Sequence, residues 1–114
     1  MSLKVNERRT TMTPEQLTKF IREHSSIIES FRRSASSFQY EKNARRQKGK
    51  QFSEARVEHE IDLMVAAFLD NVYTKIKSGV TEKKLHPYES WVDFIDKKNV
   101  LDSLEDDVST IVFK

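Results

Sequence analysis

The scarcity of chain-breaking residues is the strongest constraint on what this sequence can fold into. Its 114 residues include only two glycines and two prolines. β-Sandwiches and barrels need many tight turns, and tight turns depend on these two residue types. The sequence therefore predicts an all-α chain of long helices with few corners, within a single domain.

The apolar content is sufficient for a small core. Leucine, isoleucine, valine and phenylalanine supply 30 of the 114 residues, which is more than the roughly 20% below which charged chains tend to stay disordered. The chain has no cysteine, which excludes a disulfide framework and fits a reducing compartment. No apolar run approaches the ~20 residues that span a bilayer, and no signal peptide is visible. We therefore expect a cytoplasmic protein without a membrane partner.

The first predicted helix begins with a full set of capping signals. Residues 13–16 read Thr-Pro-Glu-Gln, which places an N-cap, a proline at the first helical position and the glutamine of a capping box. Met12 and Leu17 stand at the positions of a hydrophobic staple. The apolar residues that follow recur at helical spacing. We predict a helix from 14 to about 46.

A second start signal follows Gly49. Ser53 is suited to cap a helix, and the best amphipathic stripe of the chain comes directly after it. These features predict a helix over 54–77, with Gly79 as the residue just beyond its end.

Two helices joined by a short loop indicate a long antiparallel helical hairpin over 13–78, in which Phe38 would face Met64. Residues 87–108 predict a shorter C-terminal helical region packed across the hairpin. The last residues have strand propensity, and either fold back on the bundle or add a strand to a partner's sheet. The flanking segments are predicted to be a flexible arm and a tail, at 1–12 and 109–114.

A basic run is the sharpest local feature. Residues 42–50 hold five lysines and arginines and no acid. Such residues neutralise phosphates and release counterions, which gives salt-sensitive binding to DNA or RNA with no sequence preference. The simpler interpretation is a solvated surface with charges suited to a helix end. The candidate nucleic-acid-binding residues are Arg32, Arg33, Lys42, Arg45, Arg46, Lys48 and Lys50.

Charge is divided unequally along the chain. Residues 1–52 carry 12 basic and five acidic side chains, giving a net charge of +7, whereas residues 53–114 carry eight and 13, giving −5. This division favours either an anionic partner for the first half or self-association of a basic part with an acidic part.

The apolar stripe of the first helix is wider than one partner helix can cover. This width predicts a homo-oligomer, with a two-fold dimer favoured. The aromatic residues around position 91 are either an interface anchor or, as we favour, the lid of the chain's own core. The candidate interface residues are Phe20, Ile27, Phe31, Trp91 and Phe94.

No constellation of residues predicts catalysis, a metal site or a cofactor. His24, His59 and His86 are far apart in the sequence, and His59 with Asp62 would lack a third metal ligand. The acids Glu54, Glu58 and Asp62 are spaced along one helix face, as on an ordinary solvated surface. With two glycines in all, no phosphate-binding glycine loop is present.

These features favour a non-enzymatic helical interaction protein that self-associates and acts within a larger assembly. The alternative is a nucleic-acid-binding accessory protein that contacts phosphates through the basic region at 32–50. An enzyme is the third hypothesis and ranks last. On the nucleic-acid hypothesis, replacing Arg45 and Arg46 with Glu should abolish retention on DNA or RNA and leave thermal stability nearly unchanged.

Overall fold

Five α-helices make up most of the described chain. The computed structural model describes residues 10–113, and no strand is present within them, which confirms the all-α fold. No helix in this part of the chain combines the length and apolar character that crossing a membrane requires. The helices are α1 (Pro14–His24), α2 (Ile27–Ala44), α3 (Glu54–Gly79), α4 (Pro87–Lys97) and α5 (Val100–Ser109), and a 3-10 turn at Lys48–Lys50 joins α2 to α3.

The hairpin is formed by α2 and α3, which share the most extensive contact in the molecule. Phe31 of α2 stacks on Phe68 of α3 with ring centroids 4.2 Å apart. Nearer the turn, the side-chain amide of Gln39 lies 3.1 Å from Sδ of Met64. Gln39 is one residue from Phe38, the predicted partner of Met64, so the antiparallel register is close to the predicted one.

The predicted first helix is wrong in one respect, because it is two helices with a break at residues 25 and 26. Ser25 has extended backbone angles, with φ −159° and ψ 159°. Its hydroxyl donates to Glu105 Oε1 at 2.9 Å and accepts from the Ile27 backbone N–H at 3.2 Å. A serine side chain that bonds the local backbone competes with helix hydrogen bonds, so Ser25 ends α1, and α2 begins after Ser26.

Both predicted N-caps are confirmed. Thr13 Oγ1 accepts from Gln16 N at 3.1 Å, and Gln16 Oε1 accepts from Thr13 N at 2.8 Å, which completes the capping box. Ser53 Oγ accepts from Arg56 N at 3.2 Å. Each bond satisfies a backbone donor that the first helical turn leaves free, and this explains why α1 and α3 begin where the sequence predicts.

The apolar stripe of the hairpin is covered from within the same chain. Helix α5 packs on α2, and Val108 is 4% exposed. Beyond α5 the chain folds back, and the Phe113 ring lies 5.7 Å from Phe31 and 5.3 Å from Phe38. The tail through residue 113 therefore packs on the bundle, with no strand.

Trp91 of α4 is the lid of the core, as favoured, with 1% of its surface exposed. Its ring stacks on Tyr73 at 5.1 Å, and its Nε1 donates to Glu82 Oε2 at 2.6 Å. The same carboxylate accepts from the hydroxyl of Thr11, and Tyr73 donates to the Met12 carbonyl at 2.9 Å. Of the predicted arm, residues 10–12 are thus joined to the fold, and residues 1–9 lie outside the described part.

Candidate functional site

The loop between α2 and α3 orders the basic run into one surface, which we call the basic tip (residues 42–50 together with Arg56). Asn43, in the last turn of α2, closes the loop. Its Oδ1 accepts from the Phe52 backbone N–H at 2.8 Å, and its Nδ2 donates to the Phe52 carbonyl at 3.1 Å. The side chain of Asn43 thereby fixes the path of the loop relative to α2.

Two arginines stack on the Phe52 ring. The guanidinium carbon of Arg46 lies 3.7 Å from the ring centroid, and that of Arg56 lies 3.6 Å from it. Two guanidinium groups cannot share one face of a ring at this distance, so the ring is sandwiched between them. Arg46 also donates to Asn43 Oδ1 at 3.1 Å. Both guanidinium groups are stabilised at this position by cation–π contact with the ring.

Arg56 is a member of the tip that the sequence did not reveal. It lies beyond the acid-free run, separated from it by Glu54, and it joins the tip because the chain reverses between α2 and α3. One signal in the sequence could have found it: Phe52 follows a predicted turn, with Arg46 before the turn and Arg56 shortly after Phe52.

The remaining charges of the tip point into solvent. Lys48 and Lys50 are exposed on the 3-10 turn, and nothing lies within 4 Å of a Cβ built on Gly49 between them. Lys42 has its ammonium 5.7 Å from the Phe38 ring centroid. Arg45 pairs with Glu41 only at 3.8 Å, with both side chains more than 70% exposed.

Two predicted members, Arg32 and Arg33, lie away from the tip. Lys42 comes nine positions after Arg33 along the helix, or about 14 Å along the axis. Arg32 forms a 2.9 Å ion pair with Asp62 across the hairpin. Arg33 lines a cleft together with Glu105 of α5. Both arginines therefore lie near acidic side chains, and within residues 10–113 we take the tip as the candidate basic surface.

The candidate interface residues do not form one surface. Ile27, Phe31 and Trp91 are between 1% and 4% exposed within the single chain. Phe20 and Phe94 are half-buried. The dimer was predicted because the apolar stripe of the first helix lacked cover, and α5 and the tail supply that cover. The homo-oligomer therefore stays a prediction, and it would have to use another surface.

The histidines and acids discussed above do not converge. No group of three histidine or acidic side chains within residues 10–113 has the arrangement of a metal site. His59 and His86 are exposed. Glu58 accepts a 2.5 Å hydrogen bond from the Tyr40 hydroxyl, which raises the pKa of that phenol to about 12.

A second feature, which the sequence analysis did not predict, is a cleft of about 370 Å³ between α1, α4 and the start of α5. We call it the acidic cleft. Phe20 and His24 of α1 stack at 4.2 Å on one side. The rest of the lining consists of three carboxylates, three apolar side chains and one amide. These are Asp93, Asp96 and Asp102, then Val92, Ile95 and Leu101, and finally Asn99.

Comparison with known proteins gave no match to a family model, to a curated protein or to a solved structure.

Proposed function

We propose that this protein is a non-enzymatic helical interaction protein, which self-associates and works within a larger assembly, and that the basic tip docks it onto an anionic partner. The observation that carries the proposal is the ordering of the tip. Contacts of Arg46, Arg56 and Asn43 with Phe52 tie the loop together, so presenting Lys48 and Lys50 to a partner should cost less backbone freedom than it would in a loop without these contacts. A preorganised charged surface binds at a lower entropic cost.

The test is retention on an immobilised polyanion such as heparin, over a salt series. The double variant K48E/K50E reverses two exposed charges that take no part in the Phe52 stack. It should elute at much lower salt than the wild type, because electrostatic contacts are screened and like charges repel. The matched control is K77E/K84E, which changes the net charge equally at two exposed lysines outside the tip. Equal elution of the two variants would show that only net charge matters, and the proposal would fail.

A second candidate function, phosphate binding to DNA or RNA, is favoured by one specific observation. A guanidinium that lies flat on a ring keeps its in-plane N–H groups free, and these groups match phosphate oxygens in pairs. The guanidinium carbons of Arg46 and Arg56 lie 3.7 Å and 3.6 Å from the Phe52 ring centroid. Arg46 uses one N–H group on Asn43, so its other N–H groups and those of Arg56 remain for a phosphate. Contacts of this type would go to the backbone with little base readout. A steep fall of duplex affinity with salt, lost in K48E/K50E and indifferent to sequence, would support this candidate.

A further inference from the structure

The acidic cleft is built to receive a cation with an apolar stem. Asp93, Asp96 and Asp102 supply negative charge at its edge, while Ile95 and Leu101 supply apolar contact. The stacked rings of Phe20 and His24 add an aromatic surface. Lysine and arginine bury their aliphatic stems on apolar surface and keep their charged ends at polar groups or aromatic rings.

The placement of one carboxylate is unfavourable for the helix itself. Asp96 lies in the last turn of α4, which ends at Lys97, and the carbonyl end of a helix disfavours negative charge. Folding of α4 alone would favour a neutral or basic side chain at this position. A cationic ligand would offset the repulsion.

The cleft and the tip lie at opposite ends of the hairpin. His24 comes just before α2, and the tip follows the other end of that helix. Helix α2 has 18 residues, so its ends are about 27 Å apart. The loop is anchored by Asn43, and the tip of one molecule therefore cannot reach its own cleft.

We infer that the anionic partner of the basic tip is the acidic cleft of a second copy of this chain. This inference rests on the proposed function and names the partner for the same surface. The charge complementarity comes from one chain: exposed Lys48 and Lys50 flank a protruding glycine at one end, and three aspartates line the cleft at the other. The cleft volume of about 370 Å³ suits one long side chain from the turn.

The geometry of this contact sets the type of assembly. Two different surfaces meet, so the interface is head-to-tail, and each added copy leaves a free tip and a free cleft. The molecule measures 59 × 32 × 22 Å. A contact made by one loop and one cleft is small, and interfaces that bury less than about 1,200 Å² in total are typical of weak or transient complexes. The assembly is therefore expected to be weak, salt-sensitive and dependent on protein concentration.

Sedimentation velocity of the full chain at high micromolar concentration tests the inference. We expect concentration-dependent oligomers at about 0.1 M salt that dissociate at about 1 M, where the Debye length falls from ~10 Å to ~3 Å. The tip variant K48E/K50E and the cleft variant D93K/D96K should each weaken association by more than about tenfold. Neither change removes a buried side chain, because all four residues are exposed.

Mixing the two variants gives the decisive result. The acidic tip of K48E/K50E matches the basic cleft of D93K/D96K, and the two unaltered ends also match each other. Association should therefore return in the mixture. The control variant D106K/D107K changes the net charge as much as D93K/D96K does, at exposed positions on α5, and it should associate like the wild type. In a mixture its basic tip can enter the cleft of the tip variant, but its acidic cleft cannot accept the altered tip, so the tip variant should end each oligomer and shorten it instead of restoring wild-type association.

The possible outcomes separate this inference from the proposed function. If the wild type stays monomeric, or if the mixture does not recover, the inference is overturned. Tip-dependent retention on heparin would then still support docking of the tip onto an anionic partner, whereas a monomeric wild type would contradict the self-association in the proposed function. If the monomer binds a DNA duplex through the tip and does not self-associate, the anionic partner is nucleic acid and the inference is wrong. If the wild type is monomeric and K48E/K50E changes neither association nor retention, both proposals fail.

Discussion

The ring of Phe94 occupies the space in which a side chain on Gly79 would lie. A Cβ built on Gly79 would stand 2.7 Å from Cζ of that ring. The predicted role of Gly79, a residue just beyond the helix, is wrong, because it is the last residue of α3 and the chain leaves the helix at Val80 with φ −76°. The glycine is needed for close packing of α4 on α3.

We predict that G79A lowers the free energy of unfolding by about 1 kcal/mol. Alanine in a helix would contribute up to about 1 kcal/mol, but a forced shift of a packed ring typically costs about 1–3 kcal/mol. The matched variant is G49A, where nothing lies within 4 Å of the added Cβ and the backbone has no positive φ. G49A should be neutral or stabilise by up to about 1 kcal/mol. Urea denaturation of both variants checks the pair, and a harmless G79A would contradict the packing argument.

The corner between α4 and α5 depends on Asn99, whose backbone is left-handed with φ 50° and ψ 42°. Asparagine and glycine tolerate this conformation, whereas other residues pay about 1–2 kcal/mol. We predict that N99G changes stability little and that N99A destabilises by about 1–2 kcal/mol. Since the Asn99 side chain makes no capping bond to α5, the difference between the two thermal denaturation curves reports backbone strain. Equal stability of N99A and the wild type would contradict this.

A third prediction concerns acid stability and the contact between Glu82 and Trp91. Hydrogen bonds from Thr11 and then from Trp91 lower the pKa of the Glu82 carboxyl from its ordinary value of 4.5. A carboxyl whose pKa is lower in the folded state stabilises the fold above the unfolded pKa, and this contribution is lost as the pH falls through the folded value. Because Glu82 is exposed, the contribution is small.

The variant E82Q should therefore lose stability relative to the wild type at neutral pH, and the difference should shrink as the pH falls below about 4.5. Trp91 is the only tryptophan in the chain, so its fluorescence during urea denaturation follows the transition at each pH. E23Q, at an exposed position on α1, is the control and should parallel the wild type. A pH-independent difference for E82Q would mean that the carboxylate charge is not what matters at this site.

Local signals predicted the fold well, because the information for each helix start lies within a few residues. The Thr13 capping box and the Ser53 cap are examples. The break at Ser25 was missed because part of its cause is tertiary: besides the local Ile27 N–H, the serine hydroxyl bonds Glu105, which is 80 residues away. Apolar spacing continues through the break, so periodicity alone indicates one helix where the structure has two.

The candidate surfaces were predictable only in part, for a similar reason. The acid-free run at 42–50 is a continuous segment and is visible in the sequence. The sequence groups Arg32 with this run, whereas in the structure Arg32 forms an ion pair with Asp62 at 2.9 Å. The acidic cleft draws its lining from α1, α4 and α5, and no local pattern places Phe20 beside Asp96.

The last prediction is that two neighbouring arginines, which are equivalent members of the basic run in the sequence, contribute differently to stability. Arg46 stacks on Phe52 at 3.7 Å and bonds Asn43, whereas Arg45 has only the exposed 3.8 Å contact with Glu41. We predict that R46E destabilises by about 1 kcal/mol, because a cation–π contact at the surface contributes about 0.5–1 kcal/mol and the hydrogen bond to Asn43 is lost as well. R45E should stay within about 0.5 kcal/mol of the wild type.

A double-mutant cycle in urea locates the cause. In an F52L background the ring is gone, so R46E should cost markedly less, and the difference is the coupling energy of the pair. If R46E is as mild as R45E, the stack does not stabilise the loop.

If R46E is costly, the double replacement R45E/R46E cannot serve as a test of binding, because loss of polyanion retention could then come either from the missing charges or from a destabilised tip. Lys48 and Lys50 are free of this ambiguity, since they lie outside the stack.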